Sequence, residues 1–455
     1  MESRLENVLQ KRTSIERNPS NGDARSLAAI RQSTDQATQT GGDLQTQSTA
    51  QGVQGHETVL IRYGFVTDMS SGSPPPNNDA AYNKDTMEYG AAQPLICPSP
   101  PYSVGMHSIP SFHDLPSKTV ALELVNEAFR SFNSFYPLFD EQDFLKLFHT
   151  QYLGSNPSKP AWWACINVVL SLAHRLRAIH TLETAYETIQ SCKYIHNALA
   201  VVSQLSLMHN SLSAVQALVG MAVVIQASPY VYSCPSLLAT ALKLAQIMGL
   251  HRSMRDPSLT ESQTEQRKRV FWMAYFLDKD ISLRMGVPFS QDDNDMDVDL
   301  PTGIVSEMPF CHSLYAINSF NSRIGLAIIQ GQIYRRLYSV QATKLPAAQR
   351  AAIAQELNSV LSYWRSGVPI DIEDYPVTQG PVPTEFLHML VLRFTYINCL
   401  AMIDHHLPPT EQLQVDMTSE TQRTLASMDS LYILESRKAV RLIKTVPLGN
   451  YAYIW

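Results

Sequence analysis

The sequence predicts an all-α protein, a large multi-helix bundle preceded by a disordered N-terminal arm. Two observations support this prediction. From about residue 118 onward, apolar residues recur at spacings of three and four, the period of an amphipathic helix, with no strand-like alternation of comparable length. Hydrophobic residues make up 45% of the 455-residue chain and charged residues only 17%, so most of the chain can bury a core.

The first 17 residues have the spacing of a short coiled-coil segment. Their seam positions recur every three or four residues, the repeat that places side chains along one edge of a helix. These positions are Leu5, Val8, Arg12 and Ile15. A helix of this length is marginal in water, so we expect residues 1–17 to form a coiled-coil-like segment that is not stable alone.

Residues 18–117 are rich in Gln, Ser, Thr, Gly, Asn and Pro, as in the stretch Ser73–Pro76. Few side chains in such a composition can offset the entropy that is lost when the backbone is ordered. We therefore expect a disordered linker over residues 18–117 and one all-helical region over residues 118–455.

Apolar periodicity and helix-end signals predict the elements of this region in order. Val120, Leu124 and Ala128 form one apolar stripe in the first helix. Asp140 is a suitable N-cap for the second helix, and Pro160 stands at a favoured first helical position for the third. Helices are predicted near 118–134, after 140, and near 162–177, 181–208, 212–227, 234–248, 260–285, 312–340, 347–365, 384–406 and 422–446.

A long stretch without charged residues lies between Lys193 and Lys243. Its apolar run, Ala217–Ile225, has nine residues. A membrane-spanning helix needs about 20 such residues. We therefore predict a central helix that other helices surround, and no membrane partner.

Charge and motifs argue against several functions. The net charge of -6 provides no strong positive field, which argues against unaided binding to DNA or RNA. The only dense basic triplet, Arg267–Arg269, is short and is predicted to be a solvated helix face. The chain has no HExxH, GxSxG, P-loop or GxGxxG motif, and His174 and His180 do not share a helix face. We predict no catalytic residue and no cofactor in this chain.

An aspartate-rich run follows the helix predicted near 260–285, and it raises the question of a metal site. It contains Asp292, Asp293, Asp295, Asp297 and Asp299. As a Ca²⁺ loop starting at Asp293 it fails, because Val298 and Ile304 stand where Gly and Glu are needed. A Mg²⁺-dependent helical isoprenoid cyclase is a sharper alternative. Gly286 and Pro288 end the helix before these aspartates, so we expect a solvated acidic loop and no metal.

The most informative segment begins at Thr260. Thr260 and Gln263 form a capping-box pattern at the start of a long helix that is apolar around much of its circumference. Because this helix has little exposed face, we predict that Asp278 is a buried, hydrogen-bonded carboxylate. Asp280 and Arg284 have the spacing of an ion pair on one helix face.

Ten positions in this segment form a recognisable pattern: Arg267, Arg269, Phe271, Trp272, Asp278, Ser282, Gly286, Pro288, Asp297 and Pro301. The pattern resembles the signature of the fungal-specific transcription factor domain, the middle homology region of Zn2Cys6 zinc-cluster regulators. Residues 132–144 and Met248–Arg252 resemble other parts of that family, so the likeness extends over roughly residues 118–455. The resemblance implies that the ten positions set the shape of the domain and are not catalytic.

The chain departs from the family pattern in two places. Val287 stands where the family usually has Arg, so any salt bridge of that Arg is absent. None of the six cysteines has the CxxC-type spacing of the zinc cluster, so the zinc that the family binds is not expected here. The apolar end at Tyr451–Trp455 suggests a C-terminal truncation.

The resemblance implies a regulatory domain that modulates DNA-templated transcription in the nucleus. It implies DNA contact only through the missing zinc-cluster module, pairing with itself or with another regulator, and a small-molecule effector as a further candidate partner. Two alternatives remain open. One is a regulator without a cluster that acts by heterodimerisation, and the other is the Mg²⁺-dependent cyclase.

Overall fold

A computed structural model describes the chain over residues 112–152, 159–180, 184–208, 211–226, 233–253, 256–302, 313–368, 384–407 and 431–443. Every regular element in these ranges is helical, and they contain no strand, which confirms the predicted all-α class. The predicted coiled-coil segment, residues 1–17, lies outside the described residues, as do residues 18–111 of the predicted linker.

The helices follow the predicted order. They are α1 (Lys118–Ala128), α2 (Glu141–Gln151), α3 (Pro160–His180), α4 (Thr184–Leu199), α5 (Val202–Met208), α6 (Leu212–Ile225), α7 (Cys234–Ile247), α8 (Glu261–Met285), α9 (Ser313–Ile333), α10 (Ala347–Ser366), α11 (Thr384–Asp404) and α12 (Leu431–Ile443). The helix predicted near 181–208 is divided into α4 and α5. Two π-helical turns extend α1 and α9, at Phe129–Asn133 and Tyr334–Tyr338.

Local sequence signals set several of these ends. Asp140 caps α2 by accepting a hydrogen bond from the Asp143 amide at 3.0 Å. At the start of α8, the Thr260 hydroxyl and the Gln263 side chain form both hydrogen bonds of the capping box. Gly286 ends α8 in the left-handed conformation, with φ of 66°, which a residue with a side chain rarely adopts. These three predictions are confirmed.

The first apolar cluster surrounds α6. Every residue of α6 from Ala214 to Ile225 is buried, which confirms the predicted central helix. α6 packs against α3 and α7, and α8 packs against α7. Gly220 permits the close approach to α3, because a Cβ atom there would lie 2.5 Å from Val168 Cγ1. No helix in the described part of the chain is long and apolar enough to span a bilayer.

The second apolar cluster is formed by α9, α10 and α11 around Trp364, whose side chain is 1% exposed. α9 belongs to both clusters. Its residues Ile324 and Ala327 lie in the first, whereas Leu326 and Ile329 lie in the second. α9 is therefore the shared wall between the two clusters.

The end of the predicted linker packs on the helical region. The Phe112 ring meets the Trp163 ring edge-on at 5.5 Å between centroids. The His113 amide donates to Asn197 Oδ1 at 2.8 Å, and the Tyr152 hydroxyl donates to the Pro116 carbonyl at 2.6 Å. Residues 112–117 are thus placed with the helices, although their composition resembles that of the linker.

Candidate functional site

Helix α8 carries charge into the interior of the protein. Every residue from Val270 to Leu283 is buried, including the consecutive residues Asp278, Lys279 and Asp280. Successive helix residues point about 100° apart, so each of these three charges faces different surroundings. Each needs a partner of its own, because an unpaired charge in an apolar interior is very costly.

Asp278 faces the chain that follows α8. Its carboxylate accepts hydrogen bonds from the Ser290 amide at 2.9 Å and the Gln291 amide at 3.3 Å. Burial raises the pKa of Asp278 above its usual value, against the lowering effect of the Lys279 charge and of the two amides. The predicted buried, hydrogen-bonded carboxylate is confirmed, and it holds the start of the loop over residues 286–302.

Lys279 is completely buried. Its Nζ donates to the Gln291 carbonyl at 2.7 Å and lies 3.0 Å from Asp293 Oδ1. The same Nζ lies 3.9 Å from the centre of the Phe289 ring and 4.9 Å from that of Tyr275. Burial lowers the pKa of Lys279, and the neighbouring Asp293 opposes that effect.

The partners of Lys279 connect the loop to α9. The Tyr275 hydroxyl donates to Asp293 Oδ1 at 2.7 Å. Arg335, in the π-helical turn after α9, lies 3.1 Å from Asp292 Oδ1 and 3.6 Å from Asp293 Oδ2. We call Tyr275, Asp278, Lys279, Asp293 and Arg335 the Lys279 cluster.

The Lys279 cluster corrects the expectation of a solvated acidic loop at one position. We expected a solvated acidic loop, but Asp293 is 6% exposed and is paired with a buried lysine. The prediction was wrong at this position because sequence spacing does not reveal a buried cation from the preceding helix. Within the described residues, no three His, Cys, Asp or Glu side chains are placed to share a metal ion.

The far end of the same loop is hydrogen-bonded to α8 and to the segment that follows α7. Trp272 is 1% exposed and its indole Nε1 donates to the Asp299 carbonyl at 2.9 Å. Asp297 accepts a hydrogen bond from the Ser253 amide at 2.7 Å. Phe271 is fully buried beside Trp272, and Pro301 is buried near the far end of the loop.

The basic triplet is not a solvated face. Arg267 Nη2 donates to the Met248 carbonyl at 2.9 Å, which satisfies a carbonyl group at the end of α7. Lys268 lies 2.7 Å from Glu265 Oε1, and Arg269 is half-buried with Glu265 and Asp140 nearby. The prediction was wrong because α8 begins against the end of α7, a contact that local sequence does not show.

The remaining signature positions end α8. Ser282 is buried, and its carbonyl accepts the Val287 amide at 3.0 Å in the turn that Gly286 closes. Pro288 is exposed just after this turn. One turn earlier, Asp280 and Arg284 form the predicted ion pair at 3.1 Å.

A second group of functional candidates lies where the two apolar clusters meet. A small cavity there has about 10 Å³ of free space and is lined by Phe135, Tyr136, Ser319, Phe320, Arg323, His388 and Leu392. We call it the seam cavity. It adjoins Asp280, because Arg323 Nη2 lies 4.0 Å from Asp280 Oδ2.

Sequence reasoning missed Lys279 and Arg323, although the sequence contains a signal for each. Lys279 stands between two acidic residues on a helix with little exposed face, so all three had to find buried partners. Arg323 is the only charged residue within α9, Ser313–Ile333. A lone cation in an otherwise uncharged, largely buried helix indicates a specific partner or ligand.

Comparison with known proteins finds sequence matches over most of the helical region. A family model described as "Fungal specific transcription factor domain" matches residues 127–366. An "ABC-transporter-regulating transcription factor" of Aspergillus oryzae is 35% identical over 359 residues, covering 76% of this chain and 40% of that protein. The protein of the same name in Aspergillus fumigatus matches equally, at 35% over the same shares of both chains.

A "Fusaridione A cluster transcription factor" of Fusarium heterosporum is 32% identical over 353 residues, covering 75% of this chain and 65% of that protein. The chain therefore spans about two fifths of the length of the two Aspergillus relatives. No solved structure matches the chain. These names give no support to the isoprenoid cyclase alternative. Because the family model covers residues 127–366, more than half of the 455 residues, this chain belongs to the fungal specific transcription factor domain family.

Proposed function

We propose that this chain is the regulatory region of a fungal transcription regulator and acts by contact rather than by catalysis. The observation that supports this most strongly is the match to residues 127–366, which runs from the end of α1 to the last residue of α10. That stretch contains the whole Lys279 cluster, whereas α11, which completes the second apolar cluster, lies beyond it.

DNA contact is assigned to a zinc-cluster module that these 455 residues do not contain. The net charge of -6 and the spacing of the six cysteines support this assignment. Zinc is then a cofactor of that module, and the helical region receives or transmits a regulatory signal. The protein works in the nucleus, where its DNA targets are.

The ten signature positions are structural in this proposal. Their contacts support it, since Arg267, Trp272, Asp278 and Asp297 each bind a backbone group of a neighbouring segment. They hold the loop over residues 286–302 in one position across α7 and α8. Loss of any of them should change the shape of the domain rather than remove a reacting group.

Partners follow from the same proposal. The regulator forms a dimer with itself or with a related regulator through residues 1–17, and a small molecule modulates the helical region. A regulator that lacks its own cluster and titrates others by heterodimerisation is the alternative. Deletion of residues 1–17 should convert a dimer into a monomer in light scattering, and an unchanged mass would contradict this pairing.

Transcriptional output tests the main proposal. The 455-residue chain is fused to a bacterial DNA-binding domain in a fungal host that carries the matching reporter. We expect a several-fold change in reporter transcription relative to the DNA-binding domain alone. A fluorescent fusion of the unmodified chain reports nuclear accumulation in the same host.

Two variants make this experiment specific. Lys279→Met disrupts the buried Lys279 cluster and should abolish the change in transcription. Arg336→Ala removes only an exposed pair with Glu356 and should leave it intact. An unchanged reporter with the wild-type fusion, present at normal level in the nucleus, would refute regulation by this chain. Reporter change only when a related regulator is co-expressed would favour the heterodimer alternative.

A further inference from the structure

The seam cavity is bounded by three separate parts of the chain. Phe135 and Tyr136 come from the segment after the first π-helical turn, Phe320 and Arg323 from α9, and His388 from α11. The contributors are distant in sequence, so only the assembled bundle creates the cavity. A molecule bound here would touch both apolar clusters at once.

Arg323 enters this cavity with its charge incompletely paired. It is 8% exposed, and its one hydrogen bond, to the Tyr136 hydroxyl, is long at 3.4 Å. Its nearest carboxylate oxygen is Asp280 Oδ2 at 4.0 Å. That carboxylate already binds Arg284 at 3.1 Å and Gln330 at 2.9 Å. Most of the five N–H donors of the guanidinium are therefore available for another acceptor.

The rest of the lining indicates what kind of acceptor would fit. Aromatic rings surround Arg323, with the guanidinium 5.0 Å from the Phe276 ring and 5.6 Å from the Tyr136 ring. The His388 ring stacks on Phe135 at 4.2 Å and meets Tyr136 edge-on at 4.8 Å. Burial lowers the pKa of His388 to about 3, so its ring is neutral near pH 7.

The cavity thus has one fixed positive charge in an aromatic environment. A phosphate dianion would leave a negative charge unmatched here, whereas a carboxylate would match the single guanidinium and could accept two parallel N–H bonds. We propose that the seam cavity is a binding site for a small organic acid, whose carboxylate binds Arg323 and whose apolar part lies against Tyr136 and Phe320. This deepens the proposed function, because the acid would be the effector of the regulatory region.

The size of the cavity limits the ligand. The cavity has room for about one water molecule, so only a small polar group can enter it. The carboxylate would enter the cavity at Arg323, and the apolar part would lie outside it against the rings at its opening. Small carboxylic acids such as acetate or benzoate are therefore the ligands to test.

The ligand would compete with an internal carboxylate. Asp280, on α8, is the acidic group nearest to Arg323, and a bound acid would take over this role at a shorter distance. Asp280 would keep Arg284 and Gln330 as partners. Occupation of the cavity would therefore loosen a contact between α8 and α9, the two helices that also carry the Lys279 cluster.

Calorimetric titration of the purified 455-residue chain tests the proposal, with benzoate as the probe. We expect saturable binding of one benzoate and no binding of benzamide, which has nearly the same shape without the charge. Arg323→Lys should weaken benzoate binding about tenfold or more, because lysine cannot form the paired N–H bonds. Arg365→Lys changes another half-buried arginine beside a tyrosine ring and should leave the affinity unchanged.

A variant that is expected to bind benzoate more tightly provides a second test if Arg323→Lys is unstable. Asp280→Asn removes the competing carboxylate and should tighten benzoate binding. Thermal unfolding without ligand shows whether each variant is folded. Equal binding to wild type and Arg323→Lys, equal binding of benzamide, stronger binding of inorganic phosphate, or no saturable binding of benzoate or acetate would overturn the proposal. The titration involves no DNA and no transcription, so its failure is separable from failure of the reporter experiment.

Discussion

Helices α6 and α8 are both buried around nearly their whole circumference, yet they achieve this in opposite ways. α6, Leu212–Ile225, contains no charged residue and packs through small and branched apolar side chains. α8, Glu261–Met285, buries Asp278, Lys279 and Asp280 in three consecutive positions. The first helix holds the bundle together, whereas the second determines which loop and which helix lie beside it.

The physical reason is the difference between apolar burial and charge pairing. Apolar burial is non-directional and roughly proportional to area, so the packing of α6 depends on the volume and shape of its neighbours and not on their charge. A buried charge is compensated only by groups at fixed positions, as Lys279 is by Asp293 and the Gln291 carbonyl. We therefore expect α8 to be the more sensitive to changes of charge and α6 to changes of volume.

The largest effect is expected for Lys279→Met. Removing the cation leaves Asp293 buried with the Tyr275 hydroxyl at 2.7 Å and Arg335, at 3.6 Å, as its remaining charged partner, so the free energy of unfolding should fall by about 3–5 kcal/mol. Urea denaturation measures this change. Adding Asp293→Leu to the same chain should recover much of the loss, because both charges are then gone. A loss below about 1 kcal/mol in the single variant would show that the pair is not essential.

Gly220→Ala should give the next largest effect, and it tests α6. The added methyl group would lie 2.5 Å from Val168 Cγ1 and 3.3 Å from Leu138 Cδ2. Valine is short and branched and cannot move aside, so we expect a loss of about 1–3 kcal/mol from overpacking. The midpoint of thermal unfolding reports it. The paired variant Gly220→Ala with Val168→Ala should be less destabilised than the sum of the two single changes if this contact is the cause.

The features of α8 that sequence predicts are those that depend on neighbours within a few residues. The capping box, the end at Gly286 and the Asp280–Arg284 pair all belong to this class. Asp278 was predictable as a buried carboxylate because a helix with little exposed face leaves no other place for it. Its partners, the Ser290 and Gln291 amides, were not predictable.

The features that sequence does not predict join distant segments. Arg323 and Tyr136 are separated by 187 positions, and no local pattern connects them. Arg335 reaches Asp292 and Asp293 from a π-helical turn, whose extra residue depends on packing rather than on helix propensity. The division between α4 and α5 belongs to the same class, since the apolar periodicity continues through it.

Acid should lower the stability of the folded chain through His388, which lies between the two apolar clusters, by less than Gly220→Ala and by more than Gly331→Ala. Burial lowers the pKa of His388 from 6.5 to about 3. Below pH 6.5 the unfolded chain takes up a proton that the folded chain does not, so stability falls as the pH falls towards 3. From pH 7 to pH 5 we expect a loss of about 1–2 kcal/mol from this group.

His388→Gln isolates that contribution from the other titrating groups. The variant should lose less stability than wild type between pH 7 and pH 5, as measured by urea denaturation at both pH values. If the difference in stability between the variant and wild type is the same at pH 7 and at pH 5, His388 does not contribute to acid sensitivity. The Arg323 charge beside this ring lowers the pKa of His388 further, so Arg323→Met should reduce the acid effect.

Gly331→Ala should give the smallest effect, and it completes the comparison with Gly220. A Cβ atom at Gly331 would lie 3.3 Å from Asp293 Oδ2 and 3.7 Å from Lys279 Cδ, in the α8 region. These neighbours are the ends of longer side chains and can shift by a few tenths of an ångström. Alanine also favours the helix by up to about 1 kcal/mol over glycine, so the net change should stay within about 1 kcal/mol of zero.

The two glycine variants together distinguish volume from charge as the controlling property. If Gly331→Ala destabilises the chain as much as Gly220→Ala does, then the Lys279 cluster is packed as rigidly as the apolar core. Its side chains then cannot shift to accept an added methyl group. If it is neutral, the cluster adapts to a small displacement while keeping its charges paired. The second outcome is expected, because the Asp293–Arg335 contact, at 3.6 Å, is long enough to adjust without loss of a hydrogen bond.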